Sequence, residues 1–173
     1  FKNFLIKAKK LNKGATVFGY QVSDPERFGV VEFDENKKIY TIEEKPNKPK
    51  SNYAITGLYF YDNQIVNIAK SLKPSKRGEL EITDVNKVYL KKKKLYMESF
   101  GRGFAWLDTG TPESLLTANI FIANIEQRQG LKIACLEEIT YLNKWISKLK
   151  LKKLTNAMSS GPYKDYLINL IKK

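Results

Sequence analysis

Histidine is missing from this 173-residue chain, and cysteine occurs once, at Cys135. Without imidazole, the usual zinc centres, serine–histidine triads and histidine acid–base catalysis are largely excluded. One cysteine permits no internal disulfide and fits a reducing compartment, so a cytoplasmic location is expected. No run approaches the roughly 20 apolar residues that cross a bilayer, and no charged-then-apolar leader is read at the start. No membrane partner is therefore expected. Also lacking is a Gly-rich phosphate loop behind a strand: "GRG" at 101–103 falls between two expected strands, not before a helix. Any chemistry must use carboxylates, lysine, arginine, tyrosine or a hard metal ion.

What is present begins with charge. Lysine and arginine number 31 against 18 acidic residues, a formal +13 that raises the question of nucleic acid. The basic residues do not gather into a reading surface. Arginine is confined to Arg27, Arg77, Arg102 and Arg128, and the lysine run at 91–94 sits where a helix should end, complementing its dipole. No helix-turn-helix or basic-aromatic RNA signature is visible. Solvated lysines are the preferred reading, and no nucleic-acid partner is expected.

The pattern of residues predicts mixed α/β architecture. "FKNFLIKAKKLNKG" carries a helical stripe at Phe4, Leu5, Ala8 and Leu11, with Gly14 as its stop. Strands are expected over 15–22, over "VVEFD" and "KIYTIEEK" as a hairpin, and over 53–62, which should be central. "LYMESF" and "GFAWLD" read as two more. Helices are expected for "NQIVNIAKSL", capped by Asp62 or Asn63, and for "LEITDVNKVYLKKKK". A long helix follows from Thr111 as N-cap and Pro112 to Gly130. Residues 1–130 then read as part of an α/β domain and 131–173 as a helical extension broken at "SSGP". The long helix has more apolar positions than one face needs, including Leu115, Leu116, Ile120 and Ile122 to Ile125, so contact with another subunit is expected.

Single motifs say little. "IEEKP" sets Glu43, Glu44 and Lys45 at a strand end, where consecutive residues face opposite ways; a polar strand end explains it equally well. Arg77 beside Gly78 offers a planar fork that matches phosphate oxygens, or merely caps a surface loop. Gly29 and Gly57, beside or within strands, mark a bulge or a close approach of ligand or backbone. Asp108 follows Trp106 and Leu107 and either turns the chain or faces a site needing negative charge.

Taken together, the segments "GATVFGYQVSDPERFGVVEFD", "IEEKPNKPKSNYAITGLYFYD", "LKPSKRGELEITDVNKVYL", "GRGFAWLDTGTPESLLTANIFIANIEQRQG" and "YLINLI" follow the order and spacing of one family. From about residue 14 onward the chain resembles the C-terminal three-fifths of the glucose-1-phosphate thymidylyltransferase family of sugar nucleotidyltransferases. The resemblance implies a Rossmann-like nucleotide-diphospho-sugar transferase fold with a mixed sheet between helices, usually assembled as a homotetramer. It implies transfer of a thymidylyl group from dTTP to glucose 1-phosphate, giving dTDP-glucose and pyrophosphate, for dTDP-sugar and cell-surface polysaccharide synthesis. The family's Gly-rich triphosphate loop, and an aspartate that helps hold Mg²⁺, belong to an N-terminal part not seen in this sequence, so the chain by itself is expected to be inactive.

By resemblance, Glu44 accepts hydrogen bonds from glucose hydroxyls, and Lys45 and Arg77 grip the sugar phosphate as the catalytic cations. Gly29 and Ile55 use their backbones against the sugar (Ile55 stands where the family usually has valine). Tyr59 belongs to the sugar pocket, Trp106 is its wall, and Asp108 is a Mg²⁺ ligand. Thr109 and Thr111 are already available to turn the chain and cap the helix, which favours the metal over the turn for Asp108. Two other classes of function stand beside this one: a non-catalytic sugar-phosphate-binding or oligomerisation module, and a nucleic-acid binder using the +13 charge.

Overall fold

A computed structural model describes residues 1–11 and 13–172. Its backbone gathers into two units, Phe1–Trp106 and Leu107–Lys173. The first is built on a five-stranded sheet of β1 (Ala15–Gln21), β2 (Gly29–Phe33), β3 (Ile39–Glu44), β4 (Tyr53–Tyr61) and β5 (Leu95–Ser99). Their order is β3-β2-β4-β1-β5. Only β1 and β5 run parallel; the other neighbours are antiparallel. The sheet is therefore mixed, with β4 at its centre, as the apolar density of 53–62 predicts. Helices α1 (Lys2–Leu11), α2 (Gln64–Lys70) and α3 (Ile82–Lys91) flank it.

Side-chain alternation sorts the strands onto two cores. Val17, Val31, Ile42, Ile55 and Met97 pack with Ile68 of α2 and with Val85 and Tyr89 of α3. Phe18 and Phe100 pack instead with Ala8 of α1, and Phe4 and Leu5 of the predicted helical stripe lie against them. Leu11, its fourth member, stays exposed. Between Val17 and Gly19 the pairing steps two residues along β1 while β4 steps four, from Tyr59 to Ile55. Gly57 sits in that irregularity, one of the two roles its sequence position allowed.

Asp62 ties the start of α2 to the start of β1. Its Oδ2 accepts from Gly14 N at 2.8 Å and its Oδ1 from Gln64 N at 3.1 Å and Tyr89 Oη at 2.8 Å. Burial would raise this carboxyl's pKa, but the hydrogen bonds outweigh it and hold the group below its usual value. Gly14 has φ +86°, and a Cβ there would lie 2.3 Å from the Lys94 carbonyl oxygen, so only glycine fits. The Asp62 side chain, not that of Asn63, supplies the capping bond to α2.

One predicted strand is absent. Residues 103–108 form no ladder; a turn closed by Phe104 N donating to Gly101 O at 3.1 Å redirects the chain. The aromatic run that suggested a strand is held by ring packing. Phe104 stacks on Phe100 at 4.9 Å, and Tyr20 Oη donates to the Phe104 carbonyl.

The second unit is helical: α4 (Pro112–Gln129), α5 (Leu136–Leu142), α6 (Lys148–Ala157) and α7 (Pro162–Lys172). α4 starts as predicted, with the Thr111 side chain accepting from Ser114 N and Pro112 in the first turn, and it stops at Gly130 with φ +65°. Cys135, Leu151 and Leu167 form the buried centre of α5, α6 and α7. On α4 only Ala118 is buried, while Leu115, Leu116 and Ile120 are exposed, matching the expectation of a half-covered helix. Among the described residues no helix is long and apolar enough to cross a membrane.

Candidate functional site

Gly29 on β2 and Glu44 on β3 are a register pair, so the two lie side by side at one end of the hairpin. The start of α3 meets them there. Thr83 Oγ1 donates to Glu44 Oε2 at 2.5 Å, fixing one carboxylate oxygen. A Cβ on residue 29 would come within 2.9 Å of that hydroxyl and 3.3 Å of Glu44 Oε2. A side chain at position 29 would therefore have to push Thr83 or Glu44 out of this arrangement.

Arg77 arrives from the loop before α3. Its guanidinium lies 3.8 Å from Glu44 Oε1, 3.4 Å from Glu81 Oε1 and 3.1 Å from Glu79 Oε2. Three carboxylates thus surround one planar cation. An arginine so placed can exchange carboxylate oxygens for phosphate oxygens of similar geometry. Lys45 follows Glu44 with φ +42°, a left-handed conformation costly for lysine, and its N–H donates to the Phe28 carbonyl at 2.9 Å. Strand β3 thereby ends abruptly with an exposed cation directly after Glu44.

Tyr59 and Ile55 come from β4, and Ile55 is buried in the core. Burial pushes the Tyr59 phenol's pKa up and the Glu44 charge adds to the shift, so Tyr59 stays a neutral hydrogen-bonding group. Its ring stacks on Tyr61 at 5.7 Å, and Tyr61 on Tyr89 at 5.6 Å. Trp106 packs edge-on against Phe28 at 5.0 Å and near Tyr20 at 6.0 Å. Phe28 therefore touches both the Lys45 backbone and the Trp106 ring.

The first unit thus brings Gly29, Glu44 and Arg77 into direct association, with Tyr59 within reach of the Glu44 charge and Lys45 next in the chain. Asp108 belongs to the second unit, half-buried, with its carboxylate 3.3 Å from the position a Cβ on Gly110 would take. Sequence reasoning missed Glu81 and Thr83. Both are buried although polar, and both belong to "GELEITD", at the start of the helix expected for "LEITDVNKVYLKKKK".

This arrangement can be set against known proteins. The nucleotidyl transferase family model matches residues 1–125. The chain belongs to the nucleotidyl transferase family. A Neisseria meningitidis protein named glucose-1-phosphate thymidylyltransferase is 55% identical over 173 residues, all of this chain and 60% of its own length. One of the same name from Mycobacterium tuberculosis is 47% identical over 92% of this chain and 56% of its own. The chain thus spans between 52% and 60% of the length of these curated relatives. A Bacillus anthracis structure named for the same enzyme, in complex with a sucrose, aligns at a TM-score of 0.62 and 46% identity over 69% of this chain and 48% of that one. A UDP-glucose pyrophosphorylase complexed with UDP-glucose aligns at 0.60 and 27% identity over 71% and 49%. The mixed sheet flanked by helices is the nucleotidyltransferase fold expected from the sequence.

Proposed function

We propose that this chain carries the sugar-phosphate half-site of a glucose-1-phosphate thymidylyltransferase. In that reaction the phosphate of glucose 1-phosphate attacks the α-phosphorus of dTTP; a new P–O bond forms, the bond to the leaving pyrophosphate breaks, and dTDP-glucose results. The observation that carries the reading is Arg77 beside Glu44, whose carboxylate in turn lies against Gly29, in a chain 55% identical to a protein of that name. A phosphate dianion is already nucleophilic, so no general base is needed and the missing histidines are no obstacle. The work left for the protein is orientation and charge neutralisation.

Glu44 accepts from glucose hydroxyls through the oxygen that Thr83 leaves open. Arg77 and Lys45 draw the phosphate in and hold it. Neutral Tyr59 and the backbones at Gly29 and Ile55 shape the sugar pocket, and the Trp106 ring closes its side. Among the described residues there is no cluster of three or more metal-ligating side chains. A Mg²⁺ ion accepts one or two carboxylates with substrate phosphates and water, so Asp108 fits as a single protein ligand. Bound there, the ion would supply neutralisation of phosphate charge. The protein is read as soluble and as a homo-oligomer through the exposed apolar side of α4, serving dTDP-sugar synthesis in the cytoplasm.

The test is pyrophosphate release from dTTP and glucose 1-phosphate by the protein extended to the full length of its relatives. Release that needs both substrates and Mg²⁺ supports the proposal. Binding of glucose 1-phosphate with no release leaves only a non-catalytic sugar-phosphate module.

A further inference from the structure

The three carboxylates around Arg77 are not equivalent. The Glu81 side chain is 10% exposed and that of Glu79 is 60% exposed. Glu81 Oε1 accepts from Ser75 Oγ at 3.0 Å, and that same hydroxyl oxygen accepts from the backbone N of Arg77 at 3.1 Å. Ser75 also closes the loop: its N donates to Glu79 O at 2.8 Å and its carbonyl accepts from Gly78 N at 2.9 Å, with Gly78 at φ +79°. The backbone and the fork of Arg77 are therefore both referred to one serine–glutamate pair. Glu79 meets Nη2, while Glu81 and Glu44 meet Nη1.

We propose that Glu81 is a positioning residue that holds Arg77 for the sugar phosphate, and that Glu79 is the counter-ion which the phosphate displaces. This rests on the reading of Arg77 as a sugar-phosphate residue. The physical reason is solvation. A displaced Glu79 swings back into water at little cost, because an exposed ion pair contributes little. A displaced Glu81 would be left as a buried, unpaired carboxylate, which is strongly unfavourable. The incoming dianion therefore takes the Nη2 edge and leaves the Nη1 edge anchored. The two glutamates, four and two residues from the same arginine, should respond to neutralisation with opposite signs.

The experiment measures Michaelis constants for glucose 1-phosphate and dTTP in the protein extended to its relatives' full length. Glu79→Gln removes a competing anion and should lower the glucose 1-phosphate constant, roughly two- to fivefold. Glu81→Gln keeps the acceptor for Ser75 but loses the charge, and should raise that constant roughly tenfold with kcat and the dTTP constant little changed. Constants that move together, or a Glu81→Gln enzyme with unchanged substrate use, would overturn the inference. If Glu81→Gln does not fold, Ser75→Ala decides: a raised glucose 1-phosphate constant with an unchanged dTTP constant supports the anchor, and an unchanged pair refutes it. Arg77→Ala distinguishes a failure of the Arg77 assignment from a failure of the glutamate roles. If it leaves glucose 1-phosphate use intact, the reading of Arg77 itself falls; if it raises the constant while the two glutamates act alike, only the inference drawn here falls.

Discussion

The two units differ in what they do with difficult residues. The sheet unit gives its half-buried and buried carboxylates several fixed donors: Asp62 receives Gly14, Gln64 and Tyr89, while Glu44 receives Thr83 and Glu81 receives Ser75, although Thr56 Oγ1 and Asn86 Nδ2 stay buried without a partner. The sheet unit also leaves Leu80, Tyr40 and Phe1 in the open, but in the helical unit exposed large apolar groups are denser along the chain. Trp145 is 72% exposed, Leu136 69% and Leu142 63%, around a core centred on three buried residues. The first unit is organised to hold a few side chains in fixed places, the second to present surface. A satisfied buried polar network rigidifies its members, and an uncovered apolar surface waits for a partner.

The largest effect expected falls on Asp108. Asp108→Asn keeps shape but removes the charge a hard cation selects, so Mg²⁺-dependent turnover should fall roughly a hundredfold or more, with at most a small drop in melting temperature. A variant that melts early yet turns over normally would return Asp108 to a turn residue and make the second unit purely structural. Next comes Leu151, fully buried among α5, α6 and α7. Leu151→Ala should cost about 2–5 kcal/mol by denaturant unfolding. Trp145→Ala, at the exposed surface, should stay within about 0.5 kcal/mol, and a large loss would mean that surface is covered.

Asp62 sharpens the other half of the comparison. Its folded pKa is depressed, so its contribution is full above the ordinary aspartate value and is lost as pH falls through the folded pKa. Asp62→Asn should cost about 1–2 kcal/mol near neutral pH. The gap from the wild type should close in acid. A gap constant with pH would show that the carboxylate's charge is not what binds Gly14 and Tyr89 to this corner.

Much of this was legible because the signals are local. Pro112, Thr111 and Gly130 announce α4, and the β-rich run at 53–62 announces the central strand. The aromatic stretch after Gly103 misled because ring-on-ring packing with Phe100 and Phe1 substitutes for a ladder, and pattern alone cannot tell them apart. At the site, Gly29, Glu44, Lys45, Ile55, Tyr59, Arg77, Trp106 and Asp108 were named through the family resemblance, not through spacing. Thr83 escaped because its partner, Glu44, lies 39 positions away in sequence; Glu81 meets Ser75 and Arg77 within its own loop, but its burial, which gives that contact weight, comes from the fold and not from any local pattern.

The central claim is that Arg77 serves the sugar phosphate through its two-pronged fork. Lysine in its place keeps the charge and loses the fork. The most direct measurement is therefore the pair of Michaelis constants, for glucose 1-phosphate and for dTTP, in the Arg77→Lys form of the protein extended to its relatives' full length. The account predicts a clear rise in the glucose 1-phosphate constant with a much smaller change for dTTP. Equal rises in both would contradict it.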